Sequence, residues 1–306
     1  MSPGSGARLG GYPEPGQLEA RWRGLIAEIG GRESRVGESV GGRGLWRFDL
    51  GCRDAGAPAV LLTALIHGNE VVGSLALLDV VTRLAGSGVL SAERRRIVVM
   101  PIANPDGFAA TMDRLRRGLP AWRRGNANGV DLNRNFPPPP ASRNRWGWNP
   151  LAGSGWRRSP WFRGLHALSE PESRAIADVA TAVRPSLALA FHSFGQILLH
   201  PWAFDRAPHP RAAEYRALGD AFLNGRAGSE FKVRQAAAWY PMIGDLDDWL
   251  DVTFGTLAFT VEVSRLDRRL LHPRATNPFW WANPIDTAAA LDQVTPSVLA
   301  LLEASR

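Results

Sequence analysis

Apolar runs long enough for buried strands alternate with segments of helical periodicity along this chain, and this alternation restricts the fold most strongly. Strands of this kind need cover on both faces, which the intervening helical segments can supply. The pattern therefore predicts an α/β fold with a mixed, mainly parallel central sheet and helices on both faces. The strand-like runs comprise residues 59–66, 96–102, 186–191 and 257–261, and the main helical segments comprise residues 71–84, 169–183, 211–223 and 287–302.

The composition is that of an ordinary globular protein, with 45% hydrophobic and 21% charged residues in a chain of 306 residues. No linker rich in proline, glycine or serine separates two halves, and the sequence contains no internal repeat. We expect a flexible N-terminal lead-in over residues 1–16 and a single domain over residues 17–306.

A long irregular stretch over residues 117–164 interrupts the alternation and contains five tryptophans. A loop of this length inside a compact domain is usually functional or disordered. We expect its tryptophans to pack beneath the loop rather than to stack on a ligand. They are Trp122, Trp146, Trp148, Trp156 and Trp161.

The formal net charge of +7 comes almost wholly from arginine, because Lys232 is the only lysine. Such a charge is compatible with a nucleic-acid surface. The arginine clusters are scattered over loops, however, and no zinc-finger, homeodomain or RNA-recognition signature accompanies them. We therefore expect no nucleic-acid partner, whereas attraction to anionic substrates or cell-wall polymers is compatible with the charge.

Cysteine usage and hydropathy bear on the compartment. Cys52 is the only cysteine, so an intrachain disulfide is impossible, which fits a reducing environment. The N-terminal segment lacks the apolar core of a signal peptide, and no apolar stretch reaches the ~18 residues needed to cross a bilayer. We expect a cytoplasmic protein without a membrane partner, although a processed chain that has lost its leader would look the same. The sequence carries no signal for an oligomeric state.

A polar side chain follows each of the four strand-like runs. These residues are His67, Asn104, His192 and Glu262. In open sheets of this kind ligands bind beyond the carboxyl ends of the strands. The coincidence predicts one shared site at that edge of the sheet.

His67 and Glu70 lie three positions apart where a strand ends, so they can converge on one metal ion. A hydrolytic zinc site of this type needs a second imidazole and a fourth position left for water. His192, which follows another strand-like run, could supply that imidazole. Taken alone, the spacing is a weak signal, and His192 by itself is more simply interpreted as a core histidine.

The segment Asn126-Ala-Asn-Gly-Val-Asp-Leu-Asn-Arg-Asn-Phe136 decides between these interpretations. With His67-x-x-Glu70, His192-Ser193 and Thr260-Val-Glu262, it resembles the zinc carboxypeptidase family (carboxypeptidase A/B-like) over about residues 58–265. Within that family, the sequence most resembles bacterial cytoplasmic members that are similar to murein-peptide amidases. The resemblance implies one Zn²⁺ ion held by His67, Glu70 and His192, and two imidazoles with one carboxylate suit that metal.

The resemblance also implies roles for residues around the metal. Glu262 matches the general base that takes a proton from water and returns it to the leaving amine. Asn133 and Arg134 match the pair that holds the terminal carboxylate of the substrate. Tyr240, twenty-two residues before Glu262, matches a tyrosine that covers the bound substrate. The alternatives are a strand-end ion pair for Glu262, a surface ion pair for Arg134 and a core position for Tyr240.

An arginine is expected to stabilise the tetrahedral oxyanion. Arg124, followed by Gly-Asn126, matches the bacterial pattern, and Arg123, after Trp122, matches the animal enzymes. We favour Arg124 and keep Arg123 as the alternative.

Asp247 occupies a position that resembles the base of the family's specificity pocket. An acid there implies a preference for basic or diamino-acid C-terminal residues. The other interpretation is a carboxylate that merely favours a helix N-terminus, since Asp245, Asp248 and Asp251 crowd the same short segment. Both interpretations stay open at this point.

The leading hypothesis is a zinc-dependent metallocarboxypeptidase that hydrolyses the C-terminal amide bond of peptides. A murein-peptide amidase that cuts the γ-D-glutamyl-diaminopimelate bond is the first alternative, so the expected partner is a peptide or murein-peptide substrate. An N-acyl amino acid deacylase is a further enzymatic alternative. The non-enzymatic alternative is a binding module with a vestigial site.

Overall fold

A computed structural model describes residues 8–88, 90, 93–142, 149–226, 230–266 and 273–306. Its centre is an eight-stranded sheet with the strand order β1-β2-β4-β3-β5-β8-β6-β7. The strands are β1 (Arg32–Glu38), β2 (Gly44–Gly51), β3 (Ala59–Ala64), β4 (Arg96–Met100), β5 (Leu187–His192), β6 (Ile197–His200), β7 (Lys232–Gln235) and β8 (Leu257–Glu262).

The four central strands, β4, β3, β5 and β8, are parallel neighbours. Antiparallel pairs flank this block, with β2 against β4 on one side and β6 against β8 on the other. β1 pairs antiparallel with β2, and β7 pairs parallel with β6 at the opposite edge. The predicted mixed, mainly parallel sheet is confirmed.

Helices cover both faces of the sheet, as expected for strands that are buried along their whole length. The helices are α1 (Pro15–Glu28), α2 (Val71–Gly86), α3 (Pro105–Arg116), α4 (Pro171–Val183), α5 (Ala212–Asn224), α6 (Ala236–Trp239), α7 (Leu246–Phe254), α8 (Phe279–Ala282) and α9 (Thr287–Ala304). Short 3₁₀ turns lie at Leu132–Arg134, Pro140–Ser142, Pro150–Ala152 and Pro273–Thr276.

Successive residues of the central strands face opposite core clusters. Val60 and Leu62 of β3 join the larger cluster, which includes side chains of α1, α2, α3, α5 and α9. Ala59 and Leu61 join the smaller cluster, which includes side chains of α4 and α7. This alternation follows from the period of two along a strand.

Residues 1–7 of the proposed N-terminal lead-in lie outside the described residues. In its second half, Tyr12 is 2% exposed and packs against Phe279 at 5.1 Å between ring centroids. Trp156 and Trp122 are 65% and 37% exposed. They are therefore not packed beneath the long loop, which differs from the sequence expectation. Trp146 and Trp148 lie outside the described residues.

Among the described helices, none is long and apolar enough to cross a membrane.

We predict that Gly73 is required for the contact of α2 with β5. A Cβ atom at Gly73 would lie 2.8 Å from the carbonyl oxygen of Phe191, whereas one at Gly86 in the same helix would have no neighbour within 4 Å. Gly73→Ala should lower the free energy of unfolding by about 1–3 kcal/mol through overpacking. Gly86→Ala, the matched control, should change it by less than ~1 kcal/mol. Urea unfolding measures both, and equal values for the two variants would contradict the close packing.

Candidate active site

The site lies at the carboxyl ends of β3, β5 and β8, where three of the predicted polar residues meet. After β3 the chain turns sharply at Leu65, whose φ of 54° is in the left-handed region. The next turn runs so close to α3 that a Cβ atom on Gly68 would lie 2.5 Å from the Cα atom of Gly107. This close approach lets His67 and Glu70 point into one space, with Glu70 at the N-terminal boundary of α2.

His67, Glu70 and His192 form a buried cluster with their donor atoms in contact. The Nδ1 atom of His67 lies 2.9 Å from Oε1 of Glu70, and Nδ1 of His192 lies 2.9 Å from Oε2 of the same carboxylate. The two Nδ1 atoms are 3.0 Å apart. Potential ligand atoms of all three residues lie within 4.8 Å of one another.

The donor set fits a zinc ion. Two imidazole nitrogens 3.0 Å apart beside a carboxylate can both offer lone pairs to a shared cation. Two imidazoles and one carboxylate are the protein ligands of one class of hydrolytic zinc site, which keeps one position open. Across the described part of the chain, no other group of three or more histidine, cysteine and acidic residues has potential ligand atoms this close to one another.

Asp131 fixes the orientation of His67, a role that the sequence analysis did not assign. Its Oδ1 atom lies 3.1 Å from Nε2 of His67, so the other ring nitrogen faces the cluster. Burial alone would raise the pKa of this carboxyl, but the nearby Arg124 and Arg134 guanidinium groups hold it well below its usual range. The Asp131 carboxylate is therefore charged and accepts a hydrogen bond that Nε2–H of His67 donates. The sequence feature that could have pointed to Asp131 is its position within the Asn126–Phe136 segment.

The structure places Arg124 beside the cluster and turns Arg123 away from it. Arg124 donates through Nε to Oδ2 of Asp131 at 2.8 Å and through Nη1 to Oε1 of Glu70 at 3.4 Å. Its Nη2 atom is buried and has no hydrogen-bond partner among the described residues. Arg123 instead donates to the carbonyl oxygen of Asn126 at 2.7 Å.

Glu262 ends β8 directly beside His192 of β5 in the parallel register. Its side chain is buried, and Oε2 has no hydrogen-bond partner in the described structure. Burial, followed by the negative charge of Glu70, raises the pKa of Glu262 well above its usual range. A buried carboxyl with a free oxygen beside a metal-type cluster is suited to accept and release a proton.

Asn133 and Arg134 lie in the 3₁₀ turn that follows Asp131. The Oδ1 atom of Asn133 accepts a hydrogen bond from the Leu246 backbone N–H at 3.0 Å, which fixes the orientation of the side-chain amide. The amide nitrogen of the same side chain is its hydrogen-bond donor. Arg134 is 2% exposed, and its Cζ atom lies 5.8 Å from the ring centroid of Tyr240. Tyr240 follows α6 and is half-buried.

Asp247 lies in the first turn of α7 and contacts β8 on the face that also carries Glu262. Its Oδ2 atom accepts a hydrogen bond from Thr260 Oγ1 at 2.7 Å, and its Oδ1 atom is buried without a partner among the described residues. Thr260 and Glu262 are two positions apart on one strand, so their side chains share a face. Burial, followed by the charge of Asp245, raises the pKa of Asp247 to about 8.

Known proteins share this sequence pattern. A family model described as zinc carboxypeptidase matches residues 32–283. Carboxypeptidase B of Bos taurus is 26% identical over 231 residues, which cover 71% of this chain and 54% of that protein. Carboxypeptidase SOL1 of Arabidopsis thaliana is 25% identical over 252 residues, which cover 75% of this chain and 45% of that protein. The chain thus spans about half the length of these curated relatives.

Solved structures share the fold. Carboxypeptidase A from Helicoverpa armigera aligns with a TM-score of 0.79 and 22% identity over 97% of this chain and 74% of that one. The murein-tripeptide amidase MpaA from Escherichia coli O157 aligns with a TM-score of 0.51 and 23% identity over 88% of this chain and 91% of that one. Likeness at these identities concerns the fold alone. Because the family match extends over more than half of its residues, this chain belongs to the zinc carboxypeptidase family.

Proposed function

We propose that this protein is a zinc-dependent metallocarboxypeptidase that hydrolyses the C-terminal amide bond of peptides. The observation that carries the proposal is the convergence of His67, Glu70 and His192, with potential ligand atoms within 4.8 Å of one another. Glu262 and Arg124 flank this cluster, each with a buried atom that lacks a partner among the described residues. An intact ligand set with such neighbours argues against a vestigial binding module.

His67, Glu70 and His192 would hold the ion, which supplies an activated water and polarises the scissile carbonyl. Glu262 would take a proton from the attacking water through its free oxygen and later deliver it to the leaving amine. Arg124, through its unpartnered Nη2, would donate to the oxyanion as negative charge develops.

Asn133 and Arg134 would bind the terminal carboxylate of the peptide, and Tyr240 would cover it from the side that faces Arg134. Guanidinium and carboxylate form two parallel hydrogen bonds, which fixes the end of the chain relative to the cluster. A substrate without that carboxylate would lack this anchor. The proposed activity is therefore restricted to the last peptide bond.

Asp247 would select a basic or diamino-acid residue at the C-terminus. Its Oδ1 atom is buried without a partner in the described structure, so it is free to accept a hydrogen bond from an ammonium or guanidinium group. A cation in contact would also restore the charged form that burial opposes. The same carboxylate could simply favour the start of α7, where Asp245 already caps the helix by accepting from Asp248 N–H at 3.2 Å.

Murein-peptide amidase activity is the second candidate. The favouring observation is the orphan oxygen of Asp247, which would suit the second ammonium group of a diamino acid. The fold is also similar to that of the murein-tripeptide amidase MpaA. Comparing hydrolysis of a murein tripeptide with that of an ordinary dipeptide separates the two candidates. A cytoplasmic location stays a prediction, as does N-acyl amino acid deacylase activity as the remaining enzymatic alternative.

Chelation of the metal and substitution of Glu262 should each abolish hydrolysis for different reasons. Chelators should remove activity and added zinc should restore it.

Glu262→Gln keeps the shape of the side chain but cannot take a proton, so kcat should fall by about 10²–10⁴-fold while zinc content is unchanged. Glu303→Gln, at a side chain that is 65% exposed, is the matched control. Turnover in Glu262→Gln equal to that of the control would remove Glu262 from the mechanism.

Asp247 should make peptides that end in arginine better substrates than peptides that end in phenylalanine. Loss of one partner from a buried charge pair costs about 2–5 kcal/mol, so Asp247→Ala should lower kcat/KM for the arginine peptide by at least ~30-fold. The phenylalanine peptide should lose much less. Steady-state kinetics with both peptides measures the ratio. Faster cleavage of the phenylalanine peptide by the wild type would eliminate the basic preference.

Asp247 should also make stability depend on pH in the metal-free protein. Its folded-state pKa of about 8 lies above the unfolded value of ~3.9. The stabilising contribution is therefore complete below about pH 4 and is lost as the pH rises through about 8. Asp247→Asn cannot release this proton, so its free energy of unfolding relative to wild type should rise by up to about 1.4 kcal/mol per pH unit between these values.

Urea unfolding at about pH 5 and about pH 8 measures this pH dependence. Asp220→Asn, at an exposed aspartate of α5, is the control that should show a constant difference from wild type. A constant difference for Asp247→Asn as well would show that the carboxyl is ionised throughout.

A further inference from the structure

Backbone carbonyl oxygens accept hydrogen bonds from all three nitrogen atoms of the Arg134 guanidinium. Nε and Nη2 both donate to the carbonyl oxygen of Leu151, at 3.2 and 3.1 Å. Nη1 donates to the carbonyl oxygen of Asn133 at 2.7 Å. The side chain is buried, so these contacts fix its plane without competition from bulk water.

The remaining donors of Arg134 are one N–H on each Nη atom. A guanidinium has five N–H groups, one on Nε and two on each Nη atom. The two bonds to Leu151 occupy the edge shared by Nε and Nη2, and the bond to Asn133 uses one N–H of Nη1. One N–H on each Nη atom is left. These two N–H groups, which we call the fork, are the donors that remain for a carboxylate.

The direction of the Leu151 carbonyl is set by a short turn that Asn149 closes. The N–H of Ala152, in the same peptide unit as that carbonyl, donates to the backbone oxygen of Asn149 at 3.1 Å. The Asn149 side chain accepts from the Leu151 N–H at 3.0 Å. Both bonds therefore hold the Pro150–Ala152 turn in the geometry that presents its carbonyl to Arg134.

The same turn is also joined to the segment that carries Tyr240. The backbone N–H of Ile243 donates to the carbonyl oxygen of Ala152 at 2.9 Å. The turn thus lies between Arg134 and the chain that leads into α7, and it contacts both through adjacent carbonyl groups. A change in the turn would alter the fork of Arg134 without touching the metal-type cluster.

We propose that the Pro150–Ala152 turn positions Arg134 for the terminal carboxylate of a peptide, with Asn149 as the positioning residue that holds the turn. Leu151 restrains one edge of the guanidinium, so the remaining N–H groups of the two Nη atoms are those presented to the substrate. This inference rests on the proposed carboxypeptidase function, because it concerns how that site recognises a free α-carboxylate. Asn149 acts through Leu151 and Arg134 and does not contact the substrate itself.

The test compares Asn149→Ala, Asn149→Asp and Ser154→Ala in the zinc-loaded full chain. Asn149→Asp keeps an oxygen that can accept from the Leu151 N–H. Ser154→Ala removes a similar side-chain cap in the same loop, the acceptor for the Trp156 N–H at 3.1 Å, and the described structure shows no hydrogen bond between Ser154 and Arg134. Kinetics use benzoylglycyl-arginine, and calorimetric binding compares arginine with argininamide, which lacks the carboxylate.

Asn149→Ala should raise KM by about tenfold, the effect of weakening roughly one charged hydrogen bond, with kcat within about twofold of wild type. It should weaken arginine binding and leave argininamide binding unchanged. Asn149→Asp should restore KM, and Ser154→Ala should match wild type. In an Arg134→Ala background, Asn149→Ala should have no further effect on arginine binding, because the group on which it acts is gone.

The inference is overturned if Asn149→Ala behaves like Ser154→Ala, if it weakens arginine and argininamide equally, or if it still acts in the Arg134→Ala background. The binding arm does not depend on turnover. Wild-type protein that hydrolyses no peptide but binds arginine through the fork would contradict the proposed function alone. Equal binding of arginine and argininamide by wild type would contradict the positioning of the fork.

Discussion

The buried carboxylate of Asp131 is the contact on which the geometry of the site depends. It lies 3.1 Å from Nε2 of His67 and accepts from Nε of Arg124 at 2.8 Å. One charged group therefore orients an imidazole toward the metal-type cluster and a guanidinium toward the proposed oxyanion. The Asn133 backbone N–H donates to Oδ1 of Asp131 at 3.0 Å. This bond ties Asp131 to the 3₁₀ turn that carries Arg134. Groups that would serve the scissile carbonyl and the terminal carboxylate thus share one anchor.

The sheet provides the second constraint. Parallel strands β3, β5 and β8 end at the same edge, so His67, His192 and Glu262 meet although they are far apart in the chain. The arrangement needs very close packing of backbone at Gly68, where a side chain would collide with α3. Burial then removes water from the carboxyl groups, which raises the pKa values of Glu262 and Asp247. The buried acids on this face are therefore best stabilised when a cation or a proton is present.

Much of this arrangement could be predicted because it is encoded locally. Apolar runs without alternation identified the central strands, and polar residues at their ends identified the edge that carries the site. The sequence pattern could not assign Asp131, because its partners His67 and Arg124 are found only once the chain has folded. It also left Arg123 and Arg124 as alternatives, and only the direction in which each guanidinium turns separates them. Burial of Tyr12 against Phe279 depends on a contact 267 positions along the chain, which no local pattern records.

X-ray absorption at the zinc edge, with wild-type protein compared with His192→Ala, tests most directly whether two imidazoles and one carboxylate share a single zinc ion. We expect one zinc per chain, nitrogen and oxygen ligands at about 2.0–2.2 Å, and scattering from two imidazoles that falls to one in the variant. Wild-type protein that binds no zinc, or a spectrum that His192→Ala leaves unchanged, would contradict it.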